Sequence, residues 1–127
     1  MRRETVKSKS APEPAGHYSQ AVRASGSFVF LAGQTPRTAS GARLSDASFA
    51  EQTRQTLDNL QAVAKAAGLT LKDAVKVNVF LRRLEDRQEF DRIYSGYVGD
   101  AKPARLIVQS GFTDFDIEVD AILLDSS

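Results

Sequence analysis

The sequence predicts an α+β domain in which one mixed sheet carries two helices on one of its faces. The first indication is the segment Ala74–Leu81, where apolar and polar residues alternate as they do along a strand. The second is a pair of segments, 49–67 and 90–97, in which apolar residues recur every three or four positions, as in an amphipathic helix. Short β-branched and aromatic runs at 28–32, 105–109 and 116–124 predict the remaining strands.

The first predicted strand and the first helix are separated by a loop. The strand, Phe28–Ala32, is too short to be a helix, and residues 36–46 are rich in small polar residues, which is typical of a loop. The helix begins at Ser48, because Ser48 and Glu51 have the spacing of a capping box. It ends at Gly68, since glycine readily adopts the left-handed conformation that follows many helices.

The second helix follows the strand at 74–81. Asp86 and Glu89 repeat the capping spacing ahead of its apolar residues, and Gly99 indicates its end. Beyond it lie the predicted strands Arg105–Gln109 and Asp116–Leu124, which we expect to pair as an antiparallel hairpin.

The last strand indicates an oligomer. Every second residue from Ile117 to Leu123 is apolar, and Ile122 and Leu124 make the end of the other face apolar as well. Two helices on one side leave the other side of the sheet uncovered, so this strand needs a second cover. Another subunit is the simplest one.

Composition narrows the chemistry. The 127 residues, 42% hydrophobic and 26% charged, are typical of one soluble domain. The chain has no cysteine and a single histidine, His17, which excludes disulfides, cysteine-ligated zinc and thiol nucleophiles and disfavours any metal site or cofactor held by histidines. The 17 basic and 16 acidic residues are interleaved, so nucleic acid is a disfavoured ligand.

The charged N-terminal segment and the arginine pairs indicate no catalytic or binding role. We interpret residues 1–10 as an N-terminal extension and 11–127 as the domain. No segment has the apolar length of a signal sequence or a membrane span, so we expect a cytoplasmic protein without membrane contact. The pairs Arg2-Arg3 and Arg82-Arg83 are expected to be solvated.

Several blocks of the sequence, taken in order from about residue 11 to 124, resemble the RidA family, also called YjgF/Rid or endoribonuclease L-PSP. The blocks are Gly16-His17-Tyr18-Ser19-Gln20-Ala21-Val22, Ala32-Gly33-Gln34-Thr35-Pro36, Gln55-Thr56-Leu57-Asp58-Asn59-Leu60, Ala67-Gly68-Leu69, Val75-Lys76-Val77, Pro103-Ala104-Arg105 and Ile117-Glu118-Val119-Asp120-Ala121-Ile122. The resemblance implies a chorismate-mutase-like fold and a homotrimer with sites in the clefts between subunits. It also implies hydrolysis of enamine or imine intermediates, such as 2-aminoacrylate, to 2-oxo acids and ammonia without a cofactor.

The resemblance further implies which residues form the site. Arg105 matches the family's carboxylate-binding arginine, and Glu118 matches the glutamate that positions or activates water. Tyr18 and Gly33 match cleft residues, and backbone groups at Ile107 would contact the substrate. The residue types suit these roles, because a guanidinium holds a carboxylate by two parallel bonds and a carboxyl group can pass a proton from water to departing ammonia.

Three positions depart from the family's pattern. His17 replaces a proline, Ala32 a serine and Ile107 a cysteine, and the connection 110–116 is shorter than usual. We interpret His17 as a residue at the rim of the cleft.

The sequence leaves three functions open. Imine hydrolysis is the leading hypothesis because Arg105 and Glu118 are present, whereas Asp120 is expected to be structural. A ligand-binding or chaperone-like trimer without turnover is the second possibility. An endoribonuclease is the least favoured, given the near-zero net charge.

Overall fold

The computed structural model describes residues 2–126, with six strands and two α-helices in that range. The strands are β1 Arg3–Val6, β2 Ala21–Ala24, β3 Ser27–Gln34, β4 Ala74–Leu81, β5 Ala104–Gln109 and β6 Ile117–Asp125. The helices are α1 Phe49–Ala66 and α2 Arg87–Val98, with single 3-10 turns at Leu71–Asp73, Leu84–Asp86 and Gly99–Ala101. The predicted α+β class is confirmed.

The main sheet has the strand order β3-β6-β4-β5. β6 runs antiparallel to both β3 and β4, whereas β5 runs parallel to β4. The hairpin expected between 105–109 and 116–124 is therefore wrong. A parallel pair needs a crossover, and α2 supplies it between β4 and β5, so β6 is free to insert between β3 and β4.

Both helices begin and end at the predicted residues, but neither predicted capping box forms in full. The Ser48 hydroxyl accepts a hydrogen bond from the Glu51 amide at 3.2 Å, and Gly68 (φ +78°) and Gly99 (φ +57°) follow the two helices. The capping box predicted at Asp86 is wrong, because its side chain makes no capping bond. A 3-10 turn leads directly into α2, which leaves Asp86 at φ −83° and ψ 3° instead of the extended conformation of a capping residue.

The core lies between the two helices and one face of the main sheet, which we call the helix face. Val77, Val79 and Leu81 of β4 point into it, as do the alternate residues of β6 from Ile117 to Leu123, all 2% exposed or less. The opposite side, here the outer face, remains apolar and open: Phe30 is 73% exposed, and Phe28, Leu106 and Val108 are also exposed. One chain therefore leaves the predicted second face without a cover.

The N-terminal residues take part in the structure. β1, which lies in the predicted extension, pairs antiparallel with β2 as a separate two-stranded ribbon. Arg3 Nη2 donates to the carbonyls of Ala74 at 2.9 Å and Ala101 at 2.8 Å. Burial lowers the pKa of Arg3, and the expectation that this side chain is solvated is wrong, because carbonyl oxygens replace its water.

The second arginine pair of the sequence lies beside Asp116. Arg82 and Arg83 remain partly in solvent and lie 3.6 and 3.4 Å from Asp116. Over the same residues, no helix has the length and apolar character to span a membrane, and no cluster of acidic and histidine side chains is arranged for a metal ion.

Candidate active site

Arg105 is the most enclosed charged residue of the predicted site. It lies on β5 opposite Val77, so its side chain points to the helix face, where only 4% of it is exposed. Its Nη1 donates to Asp91 Oδ1 at 2.5 Å and to the His17 carbonyl at 3.3 Å. The guanidinium is thus buried but charge-compensated, as a buried charge must be.

Three aromatic rings surround this guanidinium. Its Cζ lies 5.2 Å from the ring centre of Tyr18, 5.7 Å from Phe90 and 5.1 Å from Tyr94. These distances are within the range of cation–π attraction. Burial raises the pKa of Tyr94, so its phenol is neutral at physiological pH and Asp91 is the counter-charge of Arg105. The enclosure holds the arginine in one position.

Asp91, on α2, connects Arg105 to the N-terminal loop. Its Oδ2 accepts a hydrogen bond from the backbone amide of His17 at 3.0 Å, while Oδ1 is bound to Arg105. Gly16 makes this approach possible, because a Cβ at that position would overlap the Asp91 carboxylate and lie 3.0 Å from Arg105 Nη2. Asp91 keeps 23% of its side chain exposed.

The ring of His17 contacts the end of α2. Its Nε2 lies 2.7 Å from the carbonyl of Gly99, and since a carbonyl only accepts, Nε2 carries the hydrogen. The ring also packs edge-on to Tyr94 with centroids 6.1 Å apart. His17 therefore ties the loop around residue 17 to the end of α2.

A cleft of about 390 Å³ opens beside Arg105. Its lining includes Tyr18, Asp91, Arg105 and Ile107, together with the exposed Arg87 at its edge. The structure thus brings three of the predicted site residues together: Arg105, Tyr18 and Ile107. The volume is at the lower end of small-molecule sites.

Glu118 and Gly33 meet elsewhere, on the outer face. A Cβ at Gly33 would overlap the Glu118 carboxylate, so a residue without a side chain is required there. The pairing of β3 with β6 is irregular between Leu31 and Gln34, beside this contact. The neighbouring Asp120 accepts a hydrogen bond from Asn78 Nδ2 at 2.9 Å, which agrees with a structural role.

The two groups lie on opposite faces of the sheet. Arg105 pairs with Val77 of β4, and Glu118 pairs with Phe80 of the same strand. Val77 and Phe80 are three positions apart, an odd number, so their side chains and those of their partners point to opposite sides. A single chain does not bring Arg105 and Glu118 together.

Sequence reasoning missed the surroundings of Arg105. The apolar spacing within 90–97 indicates only that Phe90 and Tyr94 lie on the buried side of a helix, and Asp91 belongs to no motif. A usable signal exists only once Arg105 is known to be buried, because a buried arginine requires an anionic partner. Alternation alone does not reveal that burial, since β5 is an edge strand.

Comparison with known proteins assigns the chain to a family. The model of the endoribonuclease L-PSP family matches residues 8–124, nearly all of the chain. The chain belongs to this family. The RutC family protein of Pyrococcus horikoshii, a relative in the same endoribonuclease L-PSP group, is 38% identical over 122 residues, which span 94% of this chain and 96% of the relative.

Solved structures agree with the L-PSP family assignment. RidA from the Antarctic bacterium Psychrobacter is 31% identical, with a TM-score of 0.71 over 96% of this chain and 99% of that one. YyfB of Yersinia pestis, described as a member of the Rid family, has a TM-score of 0.86 over 98% of this chain and 100% of its own, at 24% identity. The second likeness concerns the fold alone. The family resemblance seen in the sequence is confirmed.

Proposed function

We propose that this L-PSP family protein hydrolyses 2-imino acids, and the enamines from which they form, to 2-oxo acids and ammonia. The observation that carries the proposal is the immobilised guanidinium of Arg105 beside a cleft of about 390 Å³. In the reaction, water adds to the imine carbon, the carbon–nitrogen bond breaks, and nitrogen leaves with the proton it needs. No oxidant, reductant or cofactor enters this balance.

Arg105 binds and orients the substrate. Nη1 carries the hydrogen bonds of the guanidinium within residues 2–126, and Nε is buried with no partner there. Nη2 makes no hydrogen bond there and is not buried, so it can donate to a carboxylate that enters from the cleft, where Ile107 offers an apolar wall to the substrate's carbon chain. Because the aromatic rings already fix the arginine, little side-chain entropy is lost on binding.

Glu118 acts on water from a second copy of the chain. Since Glu118 and Arg105 lie on opposite faces, both can reach one substrate only if a neighbouring subunit brings its outer face to the cleft. The exposed Phe28, Phe30, Leu106 and Val108 support such a contact, because large apolar patches on a soluble chain mark interfaces. A homotrimer is the assembly expected in this family, and it provides the second cover for the sheet.

The activity is tested with imines made in place by an amino-acid oxidase. Ammonia or 2-oxo acid is measured as a function of time, with and without the protein. Free imines hydrolyse unaided, so only the excess over that background counts. Rates equal to background for imines from several amino acids would contradict the proposal.

The shared site is tested by mixing two inactive variants. Arg105→Ala and Glu118→Gln subunits are unfolded together and reassembled in equal amounts. If each site takes Arg105 from one subunit and Glu118 from the next, random mixing leaves about one quarter of the sites intact, as closed symmetric assembly requires. No recovered activity would contradict a site that takes Arg105 from one subunit and Glu118 from the next.

A trimer that binds small ligands without turnover is the second candidate. The ion pair between Asp91 and Arg105 favours it, because the charge of the proposed clamp is already balanced. This candidate predicts saturable binding of a 2-oxo acid with no release of ammonia above background. The endoribonuclease of the family's name has little support here, since the net charge is +1.

A further inference from the structure

We infer that Asp91 makes the cleft selective for a zwitterion, the protonated imino acid, over the 2-oxo acid formed from it. The inference rests on the proposed function and specifies its substrate form. Asp91 would be a specificity-determining residue, and it lies outside the sequence blocks on which the resemblance to the RidA family rests.

The charges of the cleft carry the argument. Asp91 Oδ1 lies 2.5 Å from Arg105 Nη1, so the arginine already holds one carboxylate. A ligand that brings only a second carboxylate places two anions beside one buried cation. A ligand that brings a carboxylate and an adjacent N–H cation gives each charge of the cleft a partner, which is the arrangement that a desolvated site requires.

Asp91 is reachable but not free to leave. It retains 23% exposure and lines the cleft, so a ligand nitrogen can approach it. The His17 amide holds its other oxygen at 3.0 Å, and the absence of a side chain at Gly16 lets the loop close over it. The other charged group at the cleft, Arg87, is exposed, where solvent screens its charge.

The selectivity has a consequence for turnover. The protonated substrate carries an iminium and a carboxylate, and hydrolysis replaces the C=N bond with C=O while the nitrogen departs as ammonium. The product keeps the carboxylate but has lost the cation that Asp91 attracts. Substrate binding is therefore favoured and product release is assisted by the same residue.

The test compares two stable ligands with the same three-carbon skeleton, L-alanine as the zwitterion and pyruvate as the anion. Binding to the full-length protein is measured by titration calorimetry near pH 7. We expect the wild-type protein to bind L-alanine about tenfold more tightly than pyruvate, the ratio expected from one charge-assisted hydrogen bond. Asp91→Asn should remove this preference by a similar factor, through tighter pyruvate and weaker L-alanine binding.

Glu89→Gln is the matched control, because it removes the same charge from the same helix while Glu89 faces Arg92 outside the cleft. It should leave the ratio unchanged. Tighter binding of pyruvate than of L-alanine by the wild-type protein overturns the inference without any variant. Equal shifts of both affinities in Asp91→Asn, or binding of neither ligand, also overturn it, whereas the ammonia assay decides the proposed function separately.

Discussion

The helix face and the outer face of the main sheet hold their charged site residues in different ways. On the helix face, Arg105 is 4% exposed, bound to Asp91 and surrounded by three rings of its own chain. On the outer face, Glu118 is only half-buried, and no hydrogen bond within residues 2–126 fixes its carboxylate. Folding of one chain thus completes the first environment, while the second needs another molecule.

The largest effect is expected from Arg105→Ala, which tests the completeness of the helix face. The change leaves Asp91 beside apolar rings without its cation, and breaking such a buried pair costs about 3 kcal/mol in the free energy of unfolding. Imine hydrolysis should be lost as well. Urea denaturation measures the stability, with Arg92→Ala on the exposed side of α2 as a control that stays within about 0.5 kcal/mol.

Adding Asp91→Asn to Arg105→Ala sharpens this result. The uncompensated carboxylate is then gone, so part of the lost stability should return, by about 0.5 to 3 kcal/mol as for other residues in direct contact. If Arg105→Ala alone were as stable as the unchanged protein, the ion pair would not contribute to the helix face.

Glu118→Gln should affect chemistry and leave folding unchanged. The amide keeps the size of the side chain but cannot relay a proton, so kcat above background should fall by a factor of about 10² to 10⁴. The free energy of unfolding should change little, because no hydrogen bond in residues 2–126 depends on this carboxylate. Asp120→Asn, on the same face of the same strand, is the control, and an equal loss of kcat there would deny Glu118 a special role.

Phe30→Glu tests whether the outer face is an interface. Phe30 is 73% exposed in one chain, and burial of such a side chain contributes about 1.5 to 3 kcal/mol for each copy in an assembly. We expect light scattering to show a trimer for the unchanged protein and smaller species for the variant. Val63→Glu alters a residue of α1 that is 42% exposed and should remain trimeric. Dissociation of both variants alike would show that the effect is not specific to the outer face.

The smallest effect concerns Asp86, at the start of α2. Burial, and after it the nearby Asp116 carboxylate, raise the pKa of Asp86. When the pKa of a carboxyl group is higher in the folded state than in the unfolded state, the protein loses stability as the pH rises from the unfolded pKa through the folded pKa. Because Asp86 is only partly buried and solvent screens its repulsion, Asp86→Asn should stabilise the protein at pH 7 by no more than about 0.5 kcal/mol, with no gain below about pH 3.5. Thermal unfolding at both pH values checks this, and an equal gain at both would contradict the electrostatic cause.

Local sequence patterns predicted most of the helices and strands, because each of these elements depends mainly on residues that are neighbours in the chain. Strand 74–81 has the predicted bounds, and α1 begins after Ser48 and ends before Gly68. The pairing of β5 was wrong because pairing is not local. The evidence for a parallel pair was nevertheless present, since β5 follows β4 through a helix and residues 110–116 are longer than most hairpin loops.

The residues of the candidate site show the same contrast between local and long-range information. Tyr18, Ile107 and Arg105 line one cleft, whereas Gly33 lies against Glu118 on the other face. The separation of the two groups follows from strand register, which the erroneous hairpin obscured. Asp91 lacked any signal, because an acidic residue on a helix is ordinarily solvated and only the burial of Arg105 gives it a role.

The hydrogen bonds of Arg3 show that the folded unit extends beyond the segment that matches the family. By sequence similarity the family begins at residue 8, so a shortened chain that starts there would retain every matched segment. The same chain would lack β1 and the donor that bridges the carbonyls of Ala74 and Ala101. Those carbonyls sit where β4 starts and where β5 is about to begin, so trimming to the matched region would loosen the parallel pair that carries Arg105. The segment that matches the family is therefore shorter than the segment whose contacts hold the starts of β4 and β5 in place.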